Sequence, residues 1–175
     1  MLKQMNNALR ILITALLLGG CSGDAPTDKP TLGQPAPEAV MQTLDDRRVT
    51  LAEQKGRVTL LAFWLGGCGP CLAELPRLQA IADHHGSDTV RVMAINMGEA
   101  APIARISAQS LVDQFHLRFP IGWDPDGATL KRWKPFVAPT LYVIDEEGAV
   151  VHMLLGESES DAALAKQLEP WLPTE

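Results

Sequence analysis

Three cysteines in 175 residues are too few to staple a small exported scaffold with disulfides. The chain has no run of basic residues, and its formal net charge is −6, so a nucleic-acid surface is excluded. No second Cys pair accompanies Cys68 and Cys71, and the four histidines, His84, His85, His116 and His152, are scattered. The four ligands of a structural zinc site are therefore missing, and no metal or other cofactor is expected. His84 and His85 read as cations near the C-terminal end of a helix. No internal repeat is visible. What the chain does have is 46% hydrophobic residues, enough for one globular domain with a full core.

The first twenty residues stand apart. Lys3 and Arg10 are their only charges, and the apolar run Ile11–Gly20 follows. That run is too short to span about 30 Å of hydrocarbon, which takes roughly twenty residues. It reads as a signal segment over residues 1–20. Leu18-Gly19-Gly20-Cys21 resembles a bacterial lipobox, which makes Cys21 the expected lipid acceptor and the first residue of the exported chain. Without residues 1–20, which carry two basic residues and no acid, the net charge moves from −6 to −8. Lipidation of Cys21 also resolves the odd cysteine count, because it leaves Cys68 and Cys71 as a pair. Ser22 follows Cys21, which by resemblance to lipoprotein sorting favours the outer over the inner membrane.

Residues 21–37 are rich in Pro, Asp, Thr and Gly and read as a flexible tether. A domain follows over 38–175. Val40–Leu44 and Val49–Leu51 around Asp45–Arg48 predict a hairpin. Val58–Trp64 is apolar throughout, as a strand buried on both faces would be. A helix is expected from Pro70 to His85, with Leu72, Leu75, Leu78 and Ile81 as its core stripe, Pro76 inside it and Gly86 ending it. Thr89–Asn96 is the next strand, and Ile103–Phe115 the next helix. A short strand at Phe119–Trp123 and a helical turn at Asp126–Trp133 come next. A hairpin over Leu141–Asp145 and Ala149–Leu155 precedes a closing helix at Ser160–Leu172, capped by Ser158 or Ser160. This order predicts an α/β sandwich around a central mixed sheet.

Phe63–Pro76 reads FWLGGCGPCLAELP, a Cys-Gly-Pro-Cys between a buried strand and a helix containing proline. With Trp123–Gly127 (WDPDG), Ala138–Asp145 (APTLYVID), Gly148 and Gly156, it resembles the TlpA/ResA-like thiol-disulfide branch of the thioredoxin-fold proteins. The resemblance covers about Leu32 to Leu172. It implies a three-layer thioredoxin-like sandwich with an N-terminal β-hairpin extension. A copper-delivery relative would show a wider Cys spacing, and a peroxidase relative a Pro and a Thr where Leu61 and Leu65 stand.

Thiol-disulfide exchange needs a thiolate, and a free cysteine has a pKa near 8.5. Cys68 falls at the start of the helix, where unpaired backbone N–H groups favour an anion, so it is the expected nucleophile. Cys71, one turn deeper, resolves the mixed disulfide. Pro70 suits a first turn because it lacks an N–H. The resemblance implies that Cys68 and Cys71 form the redox-active disulfide. It places Gly69, Pro70, Ala138 and Pro139 on the surface that meets the client, with a cis Ala138–Pro139 bond facing the cysteines. Glu74 lies three residues after Cys71, where the ResA-like branch carries a Glu; it is expected near the edge of the buried stripe, as the proton acceptor for Cys71. Its pKa would then be raised by partial burial. The alternative is a solvated Glu that only favours the helix dipole. Two departures stand out: Gly67 replaces the Trp that many relatives carry before the first cysteine, and Ala62 replaces thioredoxin's buried Asp.

The expected protein is a lipid-anchored, periplasm-facing reductase of disulfides in particular exported proteins, monomeric and supplied with electrons by a membrane reductase. Cytochrome c maturation is one candidate setting. An oxidase or isomerase using the same cysteines, and a non-catalytic metal- or client-binding module, are the alternatives. The insertion 98–120 is the expected place for a specificity surface.

Overall fold

The computed structural model describes residues 29–174. The signal segment, Cys21 and the first part of the tether lie outside the described residues.

Seven strands form one mixed sheet. They are β1 (Val40–Thr43), β2 (Arg48–Thr50), β3 (Val58–Trp64), β4 (Val90–Asn96), β5 (Ile121–Trp123), β6 (Thr140–Ile144) and β7 (Val150–Leu155). Their spatial order is β2-β1-β5-β4-β3-β6-β7. Strands β3, β4 and β5 run parallel, while β1, β6 and β7 join antiparallel to their neighbours β5, β3 and β6. The helices are α1 (Gly69–His85), α2 (Ala101–Phe115), α3 (Ala128–Trp133) and α4 (Asp161–Leu168). Every residue of β3 is buried, as its unbroken apolar sequence requires of a strand covered on both faces.

The alternation of β3 divides the core. Leu60, Ala62 and Trp64 point to a cluster with Cys71, Leu75 and Leu78 of α1, Leu111 of α2, and Leu164 and Leu168 of α4. Leu61 and Phe63 point the other way, to Met41, Met93, Tyr142 and Trp133. The result is the thioredoxin-like three-layer sandwich, with the N-terminal hairpin and α3 closing the second face. Each large side chain buried this way stabilises the fold by about 1.5–3 kcal/mol.

Several boundaries differ from those the sequence suggests. Helix α2 starts at Ala101 because Pro102 fits its first turn. Strand β5 begins only at Ile121, after Pro120, which has no N–H for the ladder. Helix α4 stops at Leu168 and passes into a 3₁₀ turn at Glu169–Trp171, where Pro170 sits. Ser160 is its cap, its Oγ accepting from Ala163 N at 3.1 Å. Ser158 has a different role, described below. The tether ends earlier than residue 37. Gly33 N donates to Val150 O and Ala36 N to Gly148 O, each at 2.8 Å, and Pro35 bridges Ala149. Residues 33–37 are thus strapped to the β6–β7 hairpin, and Pro37 is buried.

Candidate active site

Strand β3 delivers the chain at Trp64 to a short loop, Leu65–Gly67, and Cys68 then caps α1. Its φ of −79° and ψ of 103° are extended, as a cap requires, and its sulfur accepts from Cys71 N at 3.2 Å. The sulfur therefore occupies the place where a cap oxygen normally stands, at the positive end of a seventeen-residue helix. Pro70 lies in the first turn, so one of the orphan donors is absent by construction. Cys68 is half-buried, and Gly69 and Pro70 beside it are exposed. Cys71 is fully buried, at 0% exposure. The two cysteines are paired as a disulfide, with Cα atoms 5.3 Å apart.

The loop that opens β6 faces this pair. Ala138–Pro139 is a cis peptide bond, and the Ala138 carbonyl oxygen lies 3.6 Å from Cys68 Sγ. Thr140 Oγ1 donates to Val137 O at 2.6 Å, and Gly156 N donates to Pro139 O at 2.8 Å, which fix the loop. Cys68, Ala138 and Pro139, far apart in sequence, are thus brought together.

Glu74 is more deeply placed than the sequence suggests. It is 1% exposed, inside the buried face of α1 and not at its edge. Ala62 lines the same apolar cluster as Cys71, so no carboxylate comes from that side. One Glu74 oxygen accepts from Ser158 N at 3.3 Å and lies 3.7 Å from Arg77 Nη1. The other is buried without a hydrogen-bond partner. Burial raises the Glu74 pKa above the usual carboxylate value, and the Ser158 N–H and the Arg77 guanidinium only partly offset it. Arg77 also donates to Ser158 O at 2.6 Å, Glu157 at 3.3 Å and Asp161 at 2.9 Å. This ties α1 to the start of α4.

A second carboxylate, Glu99, was not singled out by the sequence. Buried Asn96 ends β4 and turns the chain by accepting from Glu99 N at 2.9 Å and Gly98 N at 3.2 Å. The Glu99 carboxylate accepts from Gly66 N at 3.1 Å, from Ser107 Oγ at 3.0 Å, and from Asn96 Nδ2. It thereby fixes the loop that aims Cys68. A Cβ at Gly66 would lie 2.5 Å from both Glu99 Oε1 and Ser107 Oγ, so any larger residue there must push these side chains out of their hydrogen bonds. Gly67 has a φ of +69°, the left-handed region that disfavours other residues. The paired glycines were the one available signal of this close approach. Among the described residues no cluster of His, Cys, Asp and Glu could hold a metal ion.

A Cys at a helix start, a buried partner one turn on and a backbone carbonyl facing the first can carry out dithiol–disulfide exchange. Known proteins agree with this geometry. Residues 31–168 match the Redoxin family model. The chain is 28% identical over 174 residues to the thiol-disulfide oxidoreductase ResA of Bacillus cereus, covering 95% of each. It is 30% identical over 140 residues to the sporulation thiol-disulfide oxidoreductase A of Bacillus subtilis, covering 79% of this chain and 81% of that one. Among solved structures, the exposed lipoprotein thioredoxin Etrx1 of Streptococcus pneumoniae superposes with a TM-score of 0.61 at 25% identity, covering 76% of this chain and 98% of its own.

Proposed function

Because the chain belongs to the Redoxin family as a ResA-like thiol-disulfide oxidoreductase, we propose that it works as a lipid-anchored reductase of protein disulfides on the periplasmic side of a bacterial envelope. In the reduced form, the Cys68 thiolate attacks one sulfur of a client disulfide. The client S–S bond breaks, its second sulfur leaves as a thiolate, and a mixed disulfide remains. Cys71 loses its proton to Glu74 and attacks Cys68 Sγ. The mixed disulfide breaks, the client leaves with both sulfurs reduced, and Cys68–Cys71 forms. Two electrons have passed from protein to client. A dithiol reductase in the membrane returns them.

The observation that carries this reading is the asymmetry of the pair: Cys68 half-exposed with its sulfur at the helix cap, Cys71 buried behind it. The direction is supported by Gly69-Pro70 between the cysteines, as in thioredoxin, whose potential is about −270 mV. Anchoring is supported by Leu18–Cys21 and by a relative named as an exposed lipoprotein. Equilibration of the purified protein with glutathione tests the direction. A potential near thioredoxin's is expected; one above about −150 mV would make the chain an oxidase or isomerase. Failure to reduce insulin with dithiothreitol present would favour a binding module instead.

A further inference from the structure

The sequence allows either Ser158 or Ser160 as the cap of α4. Ser160 fills that place, and Ser158 lies buried against Glu74, at 6% exposure. Each polar group of Ser158 is committed. Its N–H donates to Glu74 Oε2 at 3.3 Å, its carbonyl accepts from Arg77 Nη1 at 2.6 Å, and its Oγ donates to Gln167 Oε1 of α4 at 3.2 Å. Two residues earlier, Gly156 N donates to Pro139 O at 2.8 Å and pins the other end of the segment. The Ser158 N–H is thus held on the carboxylate by α1, by α4 and by the loop that opens β6.

The charged groups that face Glu74 are Arg77 on its own helix and Glu157 on the β7–α4 connection, while Asp161 of α4 meets Arg77 at its Nε. Burial pushes the Glu74 pKa up, and the Ser158 N–H pulls it back more than Arg77 does. An N–H aimed at a carboxylate favours its charged form, and the gain falls steeply once the aim is lost. We infer that Ser158 is a positioning residue for the proton step, braced by Gln167 so that its N–H stays on the Glu74 carboxylate while Cys71 gives up its proton. This rests on the reading above in which Glu74 accepts that proton. Without the brace, Glu74 holds its own proton to higher pH and is less often free to take the one from Cys71.

The test mixes reduced protein with one equivalent of dithiobis(nitrobenzoate). Attack by Cys68 releases one nitrothiophenolate in a first phase. Attack by Cys71 on Cys68 Sγ releases the second, so the second phase reads resolution directly. In Ser158→Ala and Gln167→Met the pH-rate curve of that second phase should move to higher pH by about half to one pH unit, slowing it about three- to tenfold below the midpoint. Ser158→Thr, which keeps the hydroxyl, should follow wild type. Neither variant should move the curve further when Glu74→Gln is already present. Gln167 is exposed, so Gln167→Met decides the matter if Ser158→Ala loses its fold. Curves that superimpose on wild type, or a displacement that persists beside Glu74→Gln, would overturn the inference and leave the reductase reading intact. A wild-type curve unchanged by Glu74→Gln alone would overturn it together with the assigned proton acceptor. Loss of the first phase in wild-type protein would overturn the exchange chemistry as well.

Discussion

The Arg77 guanidinium stands 3.7 Å from the Glu74 carboxylate, one turn along the same helix, and its other contacts reach across to Ser158 and Asp161. This one side chain links the buried acid to the β7–α4 connection. Replacing Arg77 with Met removes a cation that lowers the Glu74 pKa, so that pKa should rise further. The pH-rate curve for resolution of the mixed disulfide should move to higher pH in Arg77→Met, and the shift should vanish when Glu74→Gln is added.

Glu74→Gln should fold yet resolve mixed disulfides more slowly, with its pH-rate curve displaced. Equal resolution rates from pH 5 to 9 would remove Glu74 from the mechanism and leave water as the acceptor. The same residue makes a stability prediction. Its folded pKa is raised above the ordinary value of 4.5, so the folded state holds this proton more tightly than the unfolded chain. The contribution is fully present below pH 4.5 and is lost as pH rises through the raised folded value. The urea midpoint of Glu74→Gln minus that of wild type should therefore grow from pH 4 towards neutral pH. A difference that stays flat would refute the assigned direction.

Burial separates the two thiols. After reduction and brief alkylation, Cys68 should carry the label and Cys71 should not, read by peptide mass. Cys71→Ser should accumulate mixed disulfides with clients on non-reducing gels, and Cys68→Ser should not. Labelling of Cys71 first would exchange the assigned roles.

Neighbouring glycines should fail for different reasons. Gly66→Ala pushes a methyl group into Glu99 and Ser107 and should cost about 1–3 kcal/mol by overpacking. Gly67→Ala meets nothing within 4 Å but must keep a φ of +69°, at about 1–2 kcal/mol. Adding Ser107→Gly should recover part of the first loss and none of the second, by chemical denaturation.

Cys21→Ala should abolish lipidation and alter cleavage of the signal segment. Recovery of wild-type protein from cells with no acyl mass on Cys21 would end the anchoring claim.

Strand β3, the Ser160 cap and the Cys68/Cys71 arrangement were legible because each rests on a local pattern: an apolar run, a hydroxyl before a helix, a spacing of three. Glu74 was misplaced for a geometric reason. A spacing of exactly three residues drifts about 60° around a helix at each step. The series Leu72, Leu75, Leu78, Ile81 is therefore only partly buried at its two ends, where Leu72 and Ile81 pack on the edge of the core, and the fully buried face holds Cys71, Glu74, Leu75, Leu78 and Gln79. The Glu99–Gly66 contact spans 33 residues and leaves no periodic trace. Composition alone could not tell a tether from a strap, since Pro35 and Ala36 suit either.

That strap sets the direction in which the molecule points. Gly33–Ala36 joins the sheet at Gly148–Val150, next to Ile144, which pairs with Thr59 at the start of β3. Cys68 follows the other end of the same strand. The chain therefore enters the domain at the foot of the sheet, with the cysteines at its head. A lipid on Cys21, as proposed, would hold the protein on the side of that foot and leave the cysteines at the end of the sheet turned away from the attachment.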